Sequence, residues 1–259
     1  MIALKSPIFQ FIDCFSPLTN LDAHALSLVG IQGACRYLGA KTHPSWQKGL
    51  DPSELAALIQ NGLKVVFIWE GDPTYASYFT APQGVQDATD ALTELEWLGI
   101  APSLDITVYF SVDFDANSNA DFVAVDNYLV AVDQTFAGKF GVGVYGGAPV
   151  LKYLHSGQAR SKPRHYWQTV AWSGGHQLDY AAMYQYSNGQ MLCGVNVDLN
   201  HVYMADPGFY PTPTPKPPVK PVAATYHLTV TNTFPDAQKA AEAALEVSKL
   251  GFDVKVTQN

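Results

Sequence analysis

Five carboxylates stand at or near the ends of strand-like runs in this chain. Asp13 closes IFQFID, Glu70 closes VVFIWE, Asp113 and Asp115 close VYFSVDFD, and Asp198 lies in VNVDLN. Aromatic and amide side chains accompany them on the same or neighbouring runs: Tyr37, Trp69, Tyr145, Trp167, Gln185 and Asn200. Like charges brought together raise some carboxyl pKa values, which creates a proton donor at neutral pH. Paired carboxylic acids suit glycosidic cleavage, where one acid protonates the leaving oxygen and a second group acts as base or nucleophile. Trp and Tyr faces suit sugar rings, and amides and carboxylates suit hydroxyls.

Blander roles compete for the same residues. A strand-end Asp often caps the next helix, which applies to Asp13 and Asp115 more than to Glu70, because Gly71 and Pro73 follow Glu70. Asp113 sits inside the apolar run YFSVDF, where an unpaired charge is costly, so a functional or networked role is expected there. Trp69, Trp167 and Trp172 fit a core equally well. The segment DFDANSNAD (113–121) has Asp at its first and third positions, like a calcium loop. It lacks the Gly at the sixth position and the Glu at the twelfth. No HExxH or GxSxG is present, and no metal or cofactor is expected.

The elements that must position these groups alternate. Strand-like runs occur at 8–15, 33–40, 63–70, 105–115, 140–147, 165–173, 180–187 and 195–203. Helical patterns intervene at 21–30, 52–62, 82–99, 121–138 and 149–157, several with Pro near the start and Gly at the stop. Regular alternation implies parallel strands with right-handed crossovers, and eight such units in about 200 residues imply a TIM-like (β/α)8 barrel. In that fold the carboxylates meet on the C-terminal rim. The glycines of GVGVYGG alternate within a strand, so close backbone packing explains them better than a nucleotide loop.

The chain has 259 residues, is 47% hydrophobic and carries a net charge of −8. That excludes whole-chain disorder and gives no basic face for a nucleic-acid partner. The acidity is uneven: residues 1–210 hold 19 acidic and 10 basic residues, whereas 211–259 hold 4 and 5. Cys14, Cys35 and Cys193 match no zinc spacing and read as buried free thiols of a protein made in a reducing compartment. No secretory signal and no membrane-spanning stretch are expected, so synthesis in the cytoplasm is expected, without membrane insertion. The stretch PTPTPKPPVKP (211–221), with six prolines, reads as a polyproline II spacer. It separates a barrel at 1–210 from a small β-α-β tail at 222–259.

The ordered set FIDCF, CRYL, VVFIWEGD, VYFSVDFDA, GVGVYGG, Trp167-Gln168, YQYS and VDLN resembles a glycoside hydrolase-like TIM-barrel domain found in bacterial cell-wall proteins and phage lysins. The resemblance covers roughly residues 8–206. The layout is similar to that of the family-25 lysozymes, which share the opening Asp, a strand-four acidic pair and the closing Asp-x-Asn. Those enzymes carry Asp-x-Glu on strand four, with Glu as the acid. Here the matching pair is Asp113 and Asp115, and Glu70 becomes the expected proton donor.

The resemblance implies a lysozyme-like hydrolase cutting a β-1,4 bond of peptidoglycan. Asp13, Asp113 and Asp115 would assist Glu70, and Asp198, Asn200, Tyr145, Gln185, Trp69, Trp167 and Tyr37 would bind glycan. The alternative is an inactive glycan-binding or structural module, for example in a phage tail. The tail resembles half of a sporulation-related, peptidoglycan-binding repeat, implying wall tethering, self-association or virion docking. The expected site of action is the bacterial cell wall or a phage virion.

Overall fold

The computed structural model describes residues 6–210. The linker and tail expected at 211–221 and 222–259 lie outside the described residues. Eight strands close into one barrel in sequence order. They are β1 (Phe9–Asp13), β2 (Gly33–Tyr37), β3 (Lys64–Trp69), β4 (Ser103–Ser111), β5 (Phe140–Gly146), β6 (His165–Thr169), β7 (Met183–Leu192) and β8 (Val195–Val202). Five helices pack outside: α1 (Asn20–Leu28), α2 (Pro52–Gln60), α3 (Ala81–Trp97), α4 (Asn119–Phe136) and α5 (Ala148–His155).

Local chemistry starts the helices where they are needed. Thr19 and Asp22 form a capping box on α1, as do Ser118 and Asp121 on α4. Asp51 caps α2 by accepting from the backbone of Ser53 and Glu54, with Pro52 in the first turn. None of the five strand-end carboxylates caps a helix.

Strands β1 to β7 run parallel, in keeping with the βα alternation, but β8 is antiparallel to both β7 and β1. The expectation of parallel strands is corrected here. A two-residue turn, Cys193-Gly194, joins β7 to β8, with φ of 53° and 84°. Such a turn has the twist of a tight hairpin and can only reverse the chain. It also leaves Cys193 exposed, whereas Cys14 and Cys35 are buried as expected. Because β8 runs backwards, Asp198 does not end its strand. It lies in the first half of β8 and pairs with Asp13 in register, which brings it to the same rim.

Side chains alternate between two cores. One fills the barrel, with Phe11, Val66, Ile68, Tyr109, Trp167 and Met183 among its members. The other lies between strands and helices and includes Phe67, Trp69, Phe110, Leu129 and Phe136. Glycines make room for the large interior rings. A Cβ on Gly143 would lie 2.7 Å from the Tyr109 ring, and one on Gly33 would lie 2.5 Å from that of Phe11. Close packing is therefore the reason for the β5 glycines. The N-terminal mouth is plugged by 207–209: the Tyr109 hydroxyl donates to the Pro207 carbonyl at 2.6 Å, and Phe209 packs on Phe9 and Phe11. Among the described residues, only the C-terminal end is open.

Two buried acids fasten the β2–α2 connection above that open end. Glu94 of α3 accepts from the backbone amides of Lys41 and Thr42. Glu54 of α2 pairs with the fully buried Arg36 of β2 at 2.6 Å, and Arg36 also donates to the carbonyls of Cys14 and Lys48. The Arg36 guanidinium thus ties together the end of β1, the start of α2 and the loop that carries Lys48.

Candidate active site

The C-terminal end of the barrel opens into a cavity of about 330 Å³. Asp13, Glu70, Asp113 and Asp198 line it, together with Tyr37, Tyr145, Trp167 and Gln185. Asp13 ends β1, Glu70 and Asp113 follow the ends of β3 and β4, and Asp198 reaches the same rim from the first half of the reversed β8. The structure therefore gathers four of the five expected acids and four of the expected binding residues.

Three expected residues lie elsewhere. Asp115 is exposed on the β4–α4 connection and accepts from the Asn117 side chain at 3.1 Å; it does not line the cavity. Two residues after Asp113, the chain has already left the rim. Trp69 points outward into the strand–helix core, because alternation along β3 sends its neighbours Ile68 and Glu70 inward instead. Asn200 is fully buried behind Asp13 and supports the site without lining it.

At the base of the cavity the polar atoms form one network. The Gln185 amide nitrogen donates to Asp13 at 3.0 Å and to Asp198 at 3.1 Å. Its carbonyl oxygen accepts from the hydroxyls of Tyr145 at 2.8 Å and Thr169 at 2.9 Å. Asn200 donates to Asp13 at 2.7 Å while its own oxygen accepts from the Trp167 indole at 2.8 Å. The Gly189 amide, on the β7–β8 arm, donates to Asp198 at 2.7 Å. Asp13 is 4% exposed. Burial first, and the charge of Asp198 second, push its carboxyl up to about 7, against the pull of the Asn200 and Gln185 donors. Burial also raises Asp198.

Nearer the mouth the pattern differs. Lys48 donates to Glu70 at 2.7 Å, and the Ser111 hydroxyl donates to its other oxygen at 3.1 Å. The same ammonium lies 4.5 Å from the centre of the Tyr37 ring. Asp113 is half-buried, and its backbone amide donates to the Pro73 carbonyl at 3.1 Å. Burial and the adjacent Glu70 charge push the Asp113 carboxyl up to about 6, with Lys48 opposing them. The cavity thus holds an ion-paired carboxylate beside a carboxyl able to carry a proton near neutrality.

Lys48, Thr169 and Asn188 also take part in the site and were not expected there, and Trp172, which fits a core equally well by type, lines the cavity too. Lys48 stands 22 residues from Glu70 in an irregular connection, where no periodicity marks it. Trp172 carried a signal, since it follows a strand end, but type alone did not separate it from core. Among the described residues, no group of three or more His, Cys, Asp or Glu is arranged to hold a metal ion. No helix among them is long and apolar enough to cross a membrane.

Comparison with known proteins agrees with this architecture. The uncharacterized protein YbfG of Bacillus subtilis is 32% identical over 147 residues, which is 52% of this chain and 20% of YbfG. The matched stretch is therefore about a fifth of that relative's length. The crystal structure of the Mycobacterium tuberculosis Tat-secreted protein Rv2525c in complex with L-tartrate superposes with a TM-score of 0.65 at 21% identity, covering 78% of this chain and 98% of that one. The Clostridium perfringens spore cortex lytic enzyme SleM superposes at 0.50 with 14% identity, over 75% of this chain and 67% of its own. Both structural likenesses show the fold. The model of the Rv2525c-like, glycoside hydrolase-like domain matches residues 24–202. This chain belongs to that family, the glycoside hydrolase-like barrels of the Rv2525c kind.

Proposed function

We propose that the barrel is a peptidoglycan-directed glycoside hydrolase that cuts a β-1,4 bond of the glycan. The observation that carries this reading is the pairing of Asp113, raised to about 6, with Glu70, held by Lys48 and Ser111. Two neighbouring carboxyl groups pushed into different roles are what acid-assisted glycoside cleavage requires. Asp113 donates its proton to the leaving oxygen. The Glu70 carboxylate faces the positive charge that develops at the anomeric carbon, and water completes the cleavage. In this reading the proton-donor role, expected of Glu70, falls to Asp113, because Glu70 is ion-paired with Lys48. Asp13, Asp198 and Gln185 hold sugar hydroxyls at the base of the cavity.

The wall-directed part of the proposal rests on the lysozyme-like layout and on the lytic activity named for SleM. Secretion of the relative Rv2525c fits action outside the cytoplasm. Residues 222–259, beyond the Pro-rich spacer, extend the proposal to a tether for wall, virion or a second copy, on sequence grounds.

The test is to incubate the full chain with purified peptidoglycan and measure new reducing ends. Release that disappears in Asp113→Asn supports the reading; no release over a range of pH from 4 to 7 overturns it. A binding-only module has one observation in its favour: Asp115, at the position of the lysozyme acid, is exposed outside the cavity. Retention of the protein on peptidoglycan without new reducing ends would support that alternative.

A further inference from the structure

Trp172 is the bulkiest residue of the described chain with a left-handed backbone: its φ is 52°. A large side chain rarely adopts that conformation, and it persists only where surrounding contacts impose it. Those contacts are present. Gly147, at the start of α5, packs directly against it; a Cβ there would lie 3.0 Å from the Trp172 Cβ and 3.1 Å from its carbonyl oxygen. Gly147 has an ordinary φ of −71°, so the glycine is required by this close approach and not by its own backbone.

The next residue is anchored as firmly. The Ser173 hydroxyl donates to the Thr169 carbonyl at 2.5 Å and accepts from the Ala148 amide at 3.1 Å and the Gln168 amide at 3.0 Å. Thr169 in turn donates to Gln185, the hub of the carboxylate network. The turn that carries Trp172 is thus tied on one side to the cavity base and on the other to α5.

The fixed turn places Trp172 in the wall of the cavity while leaving it 36% exposed. The other aromatic residues lining the cavity are engaged by the protein. Trp167 and Tyr145 are buried, with their polar atoms bonded to Asn200 and Gln185. Tyr37 carries the Lys48 ammonium on its ring. Trp172 alone among these four keeps a substantial exposed surface at the mouth.

We infer that Trp172 is a glycan-binding platform, an indole held in a strained turn so that its face receives a pyranose ring of the strand entering the cavity. Indole faces offer an apolar surface to the C–H face of a sugar, while Glu70, Asp113 and Asn188, which line the same cavity, offer hydrogen bonds to its hydroxyls. The strain is offset by the anchoring contacts, which preorganise the platform and spare ordering cost on binding. This inference deepens the proposed function and rests on it for the class of ligand.

The experiment uses the full chain and a tetrasaccharide of alternating N-acetylglucosamine and N-acetylmuramic acid, with Asp113→Asn as the background to keep the ligand intact. Affinity is measured by calorimetry, and sugar C–H resonances are followed by NMR. Trp172→Ala is expected to weaken binding on the order of tenfold and to abolish the upfield ring-current shift of one sugar residue, whereas Trp172→Phe restores part of both. Trp172→Gly suits the left-handed backbone and is expected to melt above Trp172→Ala while binding as weakly, which separates loss of the ring from loss of the fold. Gly147→Val, which pushes the turn away, is expected to weaken binding with Trp172 intact. Unchanged affinity in Trp172→Ala or Trp172→Gly, with the background protein binding the tetrasaccharide, overturns the platform alone. No binding by the background protein or by the unsubstituted chain overturns both the platform and the proposed function.

Discussion

Asp13 and Asp198 face each other in register across the β1–β8 seam, and the single amide nitrogen of Gln185 donates to both, at 3.0 Å and 3.1 Å. Asp13 is buried and Asp198 half-buried, and the charge of Asp198 bears on Asp13, so the two do not ionise independently. Burial and mutual repulsion leave the proton on Asp13 up to about pH 7, although the unfolded chain gives it up near 3.8.

This pair makes stability depend on pH in a defined direction. Between the two values the folded chain binds more protons than the unfolded one, so stability is full below about pH 4 and falls as pH rises toward 7. At 1.36 kcal/mol for each of about three pH units, the contribution of Asp13 is on the order of 4 kcal/mol. Asp13→Asn, which has no proton to lose, is expected to shrink the stability difference between pH 4.5 and pH 7.5 by about 2 kcal/mol or more. Denaturant unfolding at the two pH values reads it; an unchanged difference would show that Asp13 is not the group responsible.

Asp113→Asn is expected to lower turnover of peptidoglycan by about 10²- to 10⁴-fold with little change in glycan affinity. In the unsubstituted protein the rate is expected to fall as pH rises through about 6, where Asp113 loses its proton. A kcat/KM profile that stays flat from pH 5 to 8 would remove Asp113 from the donor role.

Lys48 acts on that same limb. Its ammonium lowers the Asp113 carboxyl while pairing with Glu70. Lys48→Met removes the charge and keeps the length of the side chain. The alkaline limb is then expected to move to higher pH, with the maximal rate lowered by about tenfold or more as Glu70 loses its partner. Movement of the limb toward lower pH would contradict the arrangement.

Arg36 and Glu54 are buried together, so removing one leaves the other uncompensated. Glu54→Leu is expected to cost about 3–5 kcal/mol, measurable by denaturant unfolding. Arg36 also holds the Lys48 carbonyl at 3.1 Å. A folded Glu54→Leu protein should therefore share the altered pH profile of Lys48→Met; an unaltered profile would confine Arg36 to stability.

Much of this architecture was legible in residue order. Apolar runs ending in Gly or Asp, separated by capped amphipathic stretches, mark eight strands and five helices, because strand and helix periodicities are local properties of the backbone. The strand-end positions of Asp13, Glu70 and Asp113 follow from the same periodicity. Trp69 fits core and site equally well by type, and the structure places it in the outer core, since adjacent residues on β3 face opposite cores. Asp115 lies outside the cavity because the chain turns off the rim after Asp113, and nothing in DFDANSNAD marks that departure.

Residue order alone marks the barrel and the acids that could reach its C-terminal rim. Hydrophobic periodicity and strand-end polarity act over a few residues and can be read along the chain. Tertiary structure alone decided the direction of β8, the coupling of Asp198 to Asp13, and the ion pair that brings Lys48 to Glu70 across 22 positions. It also decided which carboxyl keeps a proton and which tryptophan faces the cavity. Those outcomes depend on burial and on charge separations of a few ångströms between residues far apart in the chain, and neither quantity exists until the barrel closes.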